Sequence, residues 1–144
     1  AHTYGPGQGI NDKRAISEFI KKGIYKKEIK MLDLGRSIKT FGYISDVTEM
    51  FFNIIQYGKK NIYNTTGKDY LSIFELAKNI SNNLNGIEVI LPKNSSKLKH
   101  IGSDVDQVII SSERYIKEFN KNNFVSFEDG IRNVVNWNLG NLKQ

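Results

Sequence analysis

The stretch from Asp33 to Val47, Asp-Leu-Gly-Arg-Ser-Ile-Lys-Thr-Phe-Gly-Tyr-Ile-Ser-Asp-Val, sets Lys39 between a glycine turn and Asp46, an aspartate at helix-capping spacing from Glu49. That fixed positive charge makes Lys39 the functional candidate of the segment. Other chemistries find less support. Gly5-Pro6-Gly7-Gln8-Gly9 invites comparison with a phosphate-cradling loop, but no strand is predicted before it and a proline interrupts it, so a rigid turn is expected. The two histidines, His2 and His100, form no His-x-x-x-His pair, and Asp104-x-Asp106 lacks the glycine and distal glutamate of a calcium loop. With no cysteine there is no thiol nucleophile, disulfide framework or cysteine zinc site, and no Gly-x-Ser-x-Gly elbow occurs. A tyrosine acid/base pair needs a lysine one helical turn away to lower the phenol pKa, yet none of the seven tyrosines has lysine four residues on.

The elements that must position these residues can be read from periodicity. Residues 13 to 23 predict a short amphipathic helix through Ile16, Phe19 and Ile20, ended by Gly23. Glu28 to Leu32 reads as a strand, and Ile38 to Ile44 as an extended aromatic segment. Asp46 with Glu49 predicts a capped helix from about Val47, its apolar face formed by Val47, Met50, Phe51, Ile54 and Ile55 and its end at Gly58. Asn61 to Thr65 is expected to be a strand. Ser72 with Glu75 repeats the capping pattern before a helix that buries Ile73, Leu76, Ala77, Ile80 and Leu84. Ile87 to Leu91 predicts a strand closed by Pro92, residues 93 to 97 a loop, and Val108-Ile109-Ile110 a β-branched run. A short helix follows through Ile116 and Phe119. Ser126 with Asp129 starts the last helix, with Phe127, Ile131, Val134 and Val135 facing inward. Alternating strands and helices indicate an α/β fold, or α+β for the chain in isolation, and residues 1 to 144 read as a single domain.

The chain is 39% hydrophobic with a formal charge of +6. That charge allows nucleic-acid binding, but the lysines fall in scattered pairs among acidic residues and form no basic stripe, so no specific nucleic-acid partner is expected. No segment is long and apolar enough to span a bilayer, so no membrane partner and a soluble, cytoplasmic protein are expected.

Taken in order, Tyr4-Gly5-Pro6, Asp12-Lys13-Arg14, Lys30-Met31-Leu32, the Asp33–Val47 stretch, and Ser126-Phe127-Glu128-Asp129-Gly130-Ile131 with Trp137 carry a family resemblance. The series resembles the C-terminal, substrate-binding portion of an extended Rossmann-type short-chain dehydrogenase acting on nucleotide sugars. It is most similar to UDP-glucuronate decarboxylases and nucleotide-sugar epimerases. The resemblance covers about residues 2 to 138 and implies a parent enzyme that uses NAD or NADP, modifies a UDP-sugar or other NDP-sugar through a 4-keto intermediate, serves polysaccharide biosynthesis, and is a homodimer.

By the same resemblance the cofactor-binding sheet, glycine-rich loop and catalytic Tyr-x-x-x-Lys lie upstream. No catalytic residue falls in this chain, which by itself would be inactive and bind no cofactor tightly. Arg14 stands where the decarboxylase branch has an arginine beside the sugar carboxylate, which a guanidinium suits through paired hydrogen bonds. Lys30 and Leu32 match the strand laid along the nucleotide base, with Leu32 where relatives often have an aromatic. Lys39 replaces a phosphate-binding arginine, His2 replaces an asparagine that reaches toward the pyrophosphate, and His100 aligns with a second family arginine. Asp46 matches an aspartate that caps a helix. The rival reading is a non-catalytic sugar-nucleotide-binding or interaction module.

Overall fold

The computed structural model describes residues 2–93 and 107–141. Strand β3 (Ile38–Tyr43) organises one of its two sheets. Along its C-terminal half, β1 (His2–Tyr4) pairs with it in parallel, His2 opposite Phe41 and Tyr4 opposite Tyr43. Along its N-terminal half it pairs antiparallel with β4 (Tyr70–Ser72) and in parallel with β6 (Gln107–Val108), so that Lys39 is matched to Leu71 and Val108. A second, two-stranded parallel sheet joins β2 (Glu28–Lys30) to β5 (Glu88–Ile90).

Helices α1 (Ala15–Lys26), α3 (Ile73–Asn83) and α5 (Phe127–Asn141) pack in sequence, α1 on α3 and α3 on α5. Between them lies the core. Ile20, Leu76, Ala77, Ile80, Ile131 and Val134 meet Ile29 from β2 and an aromatic cluster of Tyr4, Phe41 and Phe127. The rings of Phe41 and Phe127 lie 5.1 Å apart and those of Tyr4 and Phe127 5.4 Å apart. Burial pushes the Tyr4 phenol well above its ordinary value, with the nearby Asp69 charge acting in the same direction. Tyr4 is therefore a packing residue.

The capping patterns near Ser72 and Ser126 form as read. Ser72 Oγ accepts the Glu75 N–H at 3.1 Å, while the Glu75 carboxylate accepts the Ser72 N–H at 2.7 Å. Ser126 Oγ accepts the Asp129 N–H at 3.1 Å.

Four expectations are corrected. Gly23 does not end α1; the helix runs on to Lys26, and Lys27 takes the left-handed conformation that closes it. Gly23 is buried, and a side chain there would run into Leu84 and Ile87. Asp46 does not cap α2, which runs from Ile44 to Tyr57 and has no side-chain cap. Its carboxylate instead accepts the Val125 N–H at 3.0 Å and pairs with Lys121 at 3.1 Å, while Glu49 meets the same ammonium at 2.7 Å. Residues 61 to 65 form no strand. Side-chain bonds hold that segment, Asn64 donating to the Ser111 carbonyl and the Tyr63 hydroxyl to Glu118, while the ladder to β3 forms further on at β4. Finally, a strand does precede Gly5-Pro6-Gly7, although α1 begins only at Ala15 and no helix opens directly from the turn.

Among the described residues no helix is long and apolar enough to cross a membrane.

Candidate functional site

A cavity of about 610 Å³ opens where α1, the end of β2 and the N-terminal half of β3 converge. Helix α1 contributes Ala15, Glu18, Phe19 and Lys22, spaced i, i+3, i+4 and i+7, so that one helical face forms a wall. Lys13 stands just before that helix. The opposite side is built by Met31, Leu32, Asp33 and Ser37, the chain that leaves β2 and turns toward β3.

Gly35 makes that turn possible. Its φ is +63°, and a Cβ would lie 2.6 Å from the Phe74 nitrogen, so the position admits only glycine without rearrangement. The turn is then pinned to the start of α3: the Gly35 carbonyl accepts the Phe74 N–H and the Ser37 carbonyl accepts the Ile73 N–H, both at 3.0 Å. Asp33 Oδ1 accepts the Gly35 N–H at 2.7 Å. These bonds fix where Lys39 enters the sheet. Lys39 is two residues before Phe41, the register partner of His2, and so shares a strand face with it.

Three lysines and a histidine, Lys13, Lys22, Lys39 and His2, thus face two carboxylates and an apolar surface that includes Phe19, Met31, Leu32 and Val108. The Lys22 ammonium donates to the Lys30 carbonyl at 3.2 Å, which draws the side chain across the mouth of β2. Partial burial lowers the His2 pKa, and repulsion from neighbouring positive charges, Lys39 and Arg14 among them, lowers it further. At neutral pH His2 is therefore an uncharged hydrogen-bonding group, and the positive potential comes from the lysines.

The predicted residues divide. His2, Leu32 and Lys39 line the cavity. Lys30 does not; its ammonium is paired with Glu28 at 2.8 Å on the outer side of the strand. Arg14 lines only a smaller neighbouring cavity. Its Nε and Nη2 are both on the Asp12 carboxylate, the shortest contact 2.7 Å, and Nη1 donates to the Thr3 carbonyl at 2.9 Å. The hydrogen bonds from Arg14 hold the Asp12 carboxyl below its ordinary value, so the pair is a closed clamp from the helix start to β1. His100, the aspartates 104 and 106 and positions 94–97 of the expected loop lie outside the described residues. Lys13, Glu18, Phe19, Lys22 and Asp33 are lining residues that the motif reading passed over. Glu18 and Lys22 among them carry a legible signal, an i, i+4 pair on α1 beside its buried stripe. Among the described residues no group of three His, Cys, Asp or Glu could hold a metal ion.

Mixed parallel and antiparallel pairing under packed helices, with the cavity where α1, β2 and β3 converge, makes an α/β fold. The solved dTDP-glucose 4,6-dehydratase from Bacillus anthracis, in complex with NAD, superposes with a TM-score of 0.79 at 18% identity, covering 99% of this chain and 43% of that one. The UDP-glucose 4-epimerase from Thermotoga maritima, solved with UDP-glucose, gives 0.78 at 18% identity and covers 99% and 45%. Residues 1–65 match the NAD dependent epimerase/dehydratase family. UDP-glucuronic acid decarboxylase 4 of Arabidopsis thaliana is 26% identical over 77 residues, which make up 54% of this chain and 17% of that protein. The chain thus spans less than half the length of these solved relatives.

Proposed function

We propose that the large cavity holds a nucleoside diphosphate sugar, as the substrate-binding part of an NAD(P)-dependent enzyme that epimerises, dehydrates or decarboxylates an NDP-sugar through a 4-keto intermediate. The observation that carries this reading is the lining itself. Three lysines suit the two negative charges of a diphosphate, and the adjacent apolar surface of Met31, Leu32 and Val108 suits the flat face of a base. Lys39 is placed by β3 and Lys22 by α1, so the diphosphate would lie between sheet and helix, with neutral His2 donating a hydrogen bond.

The described residues do not fit a nicotinamide cofactor, since the turn after β1 opens no helix at whose N-terminus a pyrophosphate could rest. The parent enzyme is proposed to bind NAD or NADP elsewhere, to be a cytoplasmic homodimer, and to serve polysaccharide biosynthesis. A non-catalytic binding module is the second reading, favoured by the burial of Tyr4, which keeps that phenol from acid/base work.

Calorimetry with UDP tests the reading directly. The 144-residue chain should bind UDP, and Lys39→Ala or Lys22→Ala should each weaken binding about 10-fold, the scale of a charge-assisted hydrogen bond. No heat at saturating UDP, or no effect of either substitution, would sink it.

A further inference from the structure

Helix α2 presents an apolar stripe that none of the described residues covers. Ile44, Phe51, Phe52 and Ile55, at i, i+7, i+8 and i+11, share one side of the helix and are 41–77% exposed. The rest of the helix is already committed: Val47 and Met50 are buried, and Asp46 and Glu49 are held on Lys121. A helix fixed in this way cannot turn its stripe inward.

The surroundings of the stripe show what kind of surface it suits. Helix α2 follows β3 without a loop, Tyr43 ending the strand and Ile44 opening the helix. Ile44 lies against the turn after β1, where a Cβ on Gly5 would run into its side chain. The stripe therefore begins beside β1. That strand is the end of its sheet, paired in parallel with β3 and with no other strand among the described residues. Arg14 Nη1 donates to the Thr3 carbonyl, but a carbonyl oxygen accepts two hydrogen bonds, so the edge stays open. Parallel sheets are covered on both faces, and an open edge beside a bare apolar helix is where such a sheet has been interrupted. The chain accounts for less than half of each solved relative while nearly all of it superposes on them. The shared fold thus has a further portion large enough to continue the sheet.

We propose that the α2 stripe and the β1 edge form one docking surface, whose occupant is the remaining portion of this α/β fold: a strand that pairs parallel to β1, in a sheet whose apolar face lies under α2. No α2 residue lines the large cavity. Docking and ligand binding are therefore separate properties of the chain, and the surface keeps its occupant whether or not the cavity takes a sugar nucleotide.

Carbene footprinting of the 144-residue chain and of the complete product of its gene tests this surface. In the 144-residue chain Phe51, Phe52 and Ile55 should label freely. In the complete product their labelling should fall to about one-tenth, as side chains pass from exposed to buried, and should stay there on dilution. Phe51→Glu supplies a second readout. In the 144-residue chain it should move the melting temperature by less than about 2 °C and leave UDP affinity within about 2-fold. In the complete product it should lower the melting temperature by about 5–10 °C, because a carboxylate is then forced under an apolar sheet. Equal labelling in the two proteins, or a Phe51→Glu change that is harmless in both, would overturn the docking surface. So would protection lost on dilution, the sign that a second copy covers the stripe, or a gene product consisting of these 144 residues alone. Failure to bind UDP with the protection intact would sink the sugar-nucleotide reading and leave the docking surface standing.

Discussion

Helices α1 and α2 carry apolar stripes that look alike in sequence and meet different fates. In α1 the expected positions Ile16, Phe19 and Ile20 are all buried, because α3 and β2 close over them. In α2 only Val47 and Met50 of the expected face are buried, while Phe51 is 53% and Ile55 77% exposed. What fastens α2 is instead its polar side, where Asp46 and Glu49 converge on Lys121 beyond the end of α4 (Glu113–Phe119). Periodicity reports that a helix has an apolar side; it does not report whether anything covers it. The cavity proposed to bind ligand sits on the helix whose apolar side is covered, since a wall must be held still before its Lys22 can be aimed.

The largest test of this contrast is a pair of truncations. Ile20→Ala should cost about 3–4 kcal/mol in denaturant unfolding, as expected for a fully buried side chain that leaves a cavity. Ile55→Ala should stay within about 0.5 kcal/mol, as exposed substitutions do. Equal losses would break the comparison.

A smaller effect is expected at the ion cluster. Lys121→Met strands the buried Asp46 carboxylate and should cost about 2–3 kcal/mol. Burial works to lower the Lys121 ammonium, but hydrogen bonds to Glu49 and then Asp46 outweigh it and leave the pKa above its ordinary 10.5. A group whose folded pKa is raised contributes fully below the unfolded value and loses that contribution as pH climbs through the folded one. Wild-type stability should therefore show an alkaline step beyond pH 10.5 that Lys121→Met lacks. The same step in both proteins would mean that the cluster does not fasten α2.

The smallest effect sharpens the contrast from a third helix. Neither α1 nor α2 has a side-chain cap, whereas α3 has a full capping box. Ser72→Ala should cost about 1 kcal/mol. Hydrogen bonds from the Ser72 backbone and hydroxyl hold the Glu75 carboxyl below its ordinary 4.5. Its contribution is present above that value and is lost as pH falls through the folded one. The difference between wild type and Ser72→Ala should accordingly shrink in acid; a difference that is constant from neutral pH down to full protonation would remove Glu75 from the cap.

Much of the site frame was legible. The glycine turn at Gly35, the strand carrying Lys39 and the capping patterns at Ser72 and Ser126 are all legible in neighbouring residues; the caps form within a few positions, while the turn and the strand are held by partners remote in the chain. Asp46 shows where such reading stops. Its spacing to Glu49 is that of a cap, yet both acids turn to a lysine more than seventy positions away. Arg14 gives the same lesson at short range: its type and position announce an anion site, but the adjacent Asp12 already occupies its fork.

The sequence by itself determined most of the elements and the caps at Ser72 and Ser126, because these depend on residue types and spacings that one local segment carries. Only the tertiary structure decided which apolar faces are covered, which lysines share a cavity, and that Asp12 occupies the Arg14 fork. The first two outcomes depend on distances between segments remote in the chain, and no local pattern of residues encodes a distance of that kind.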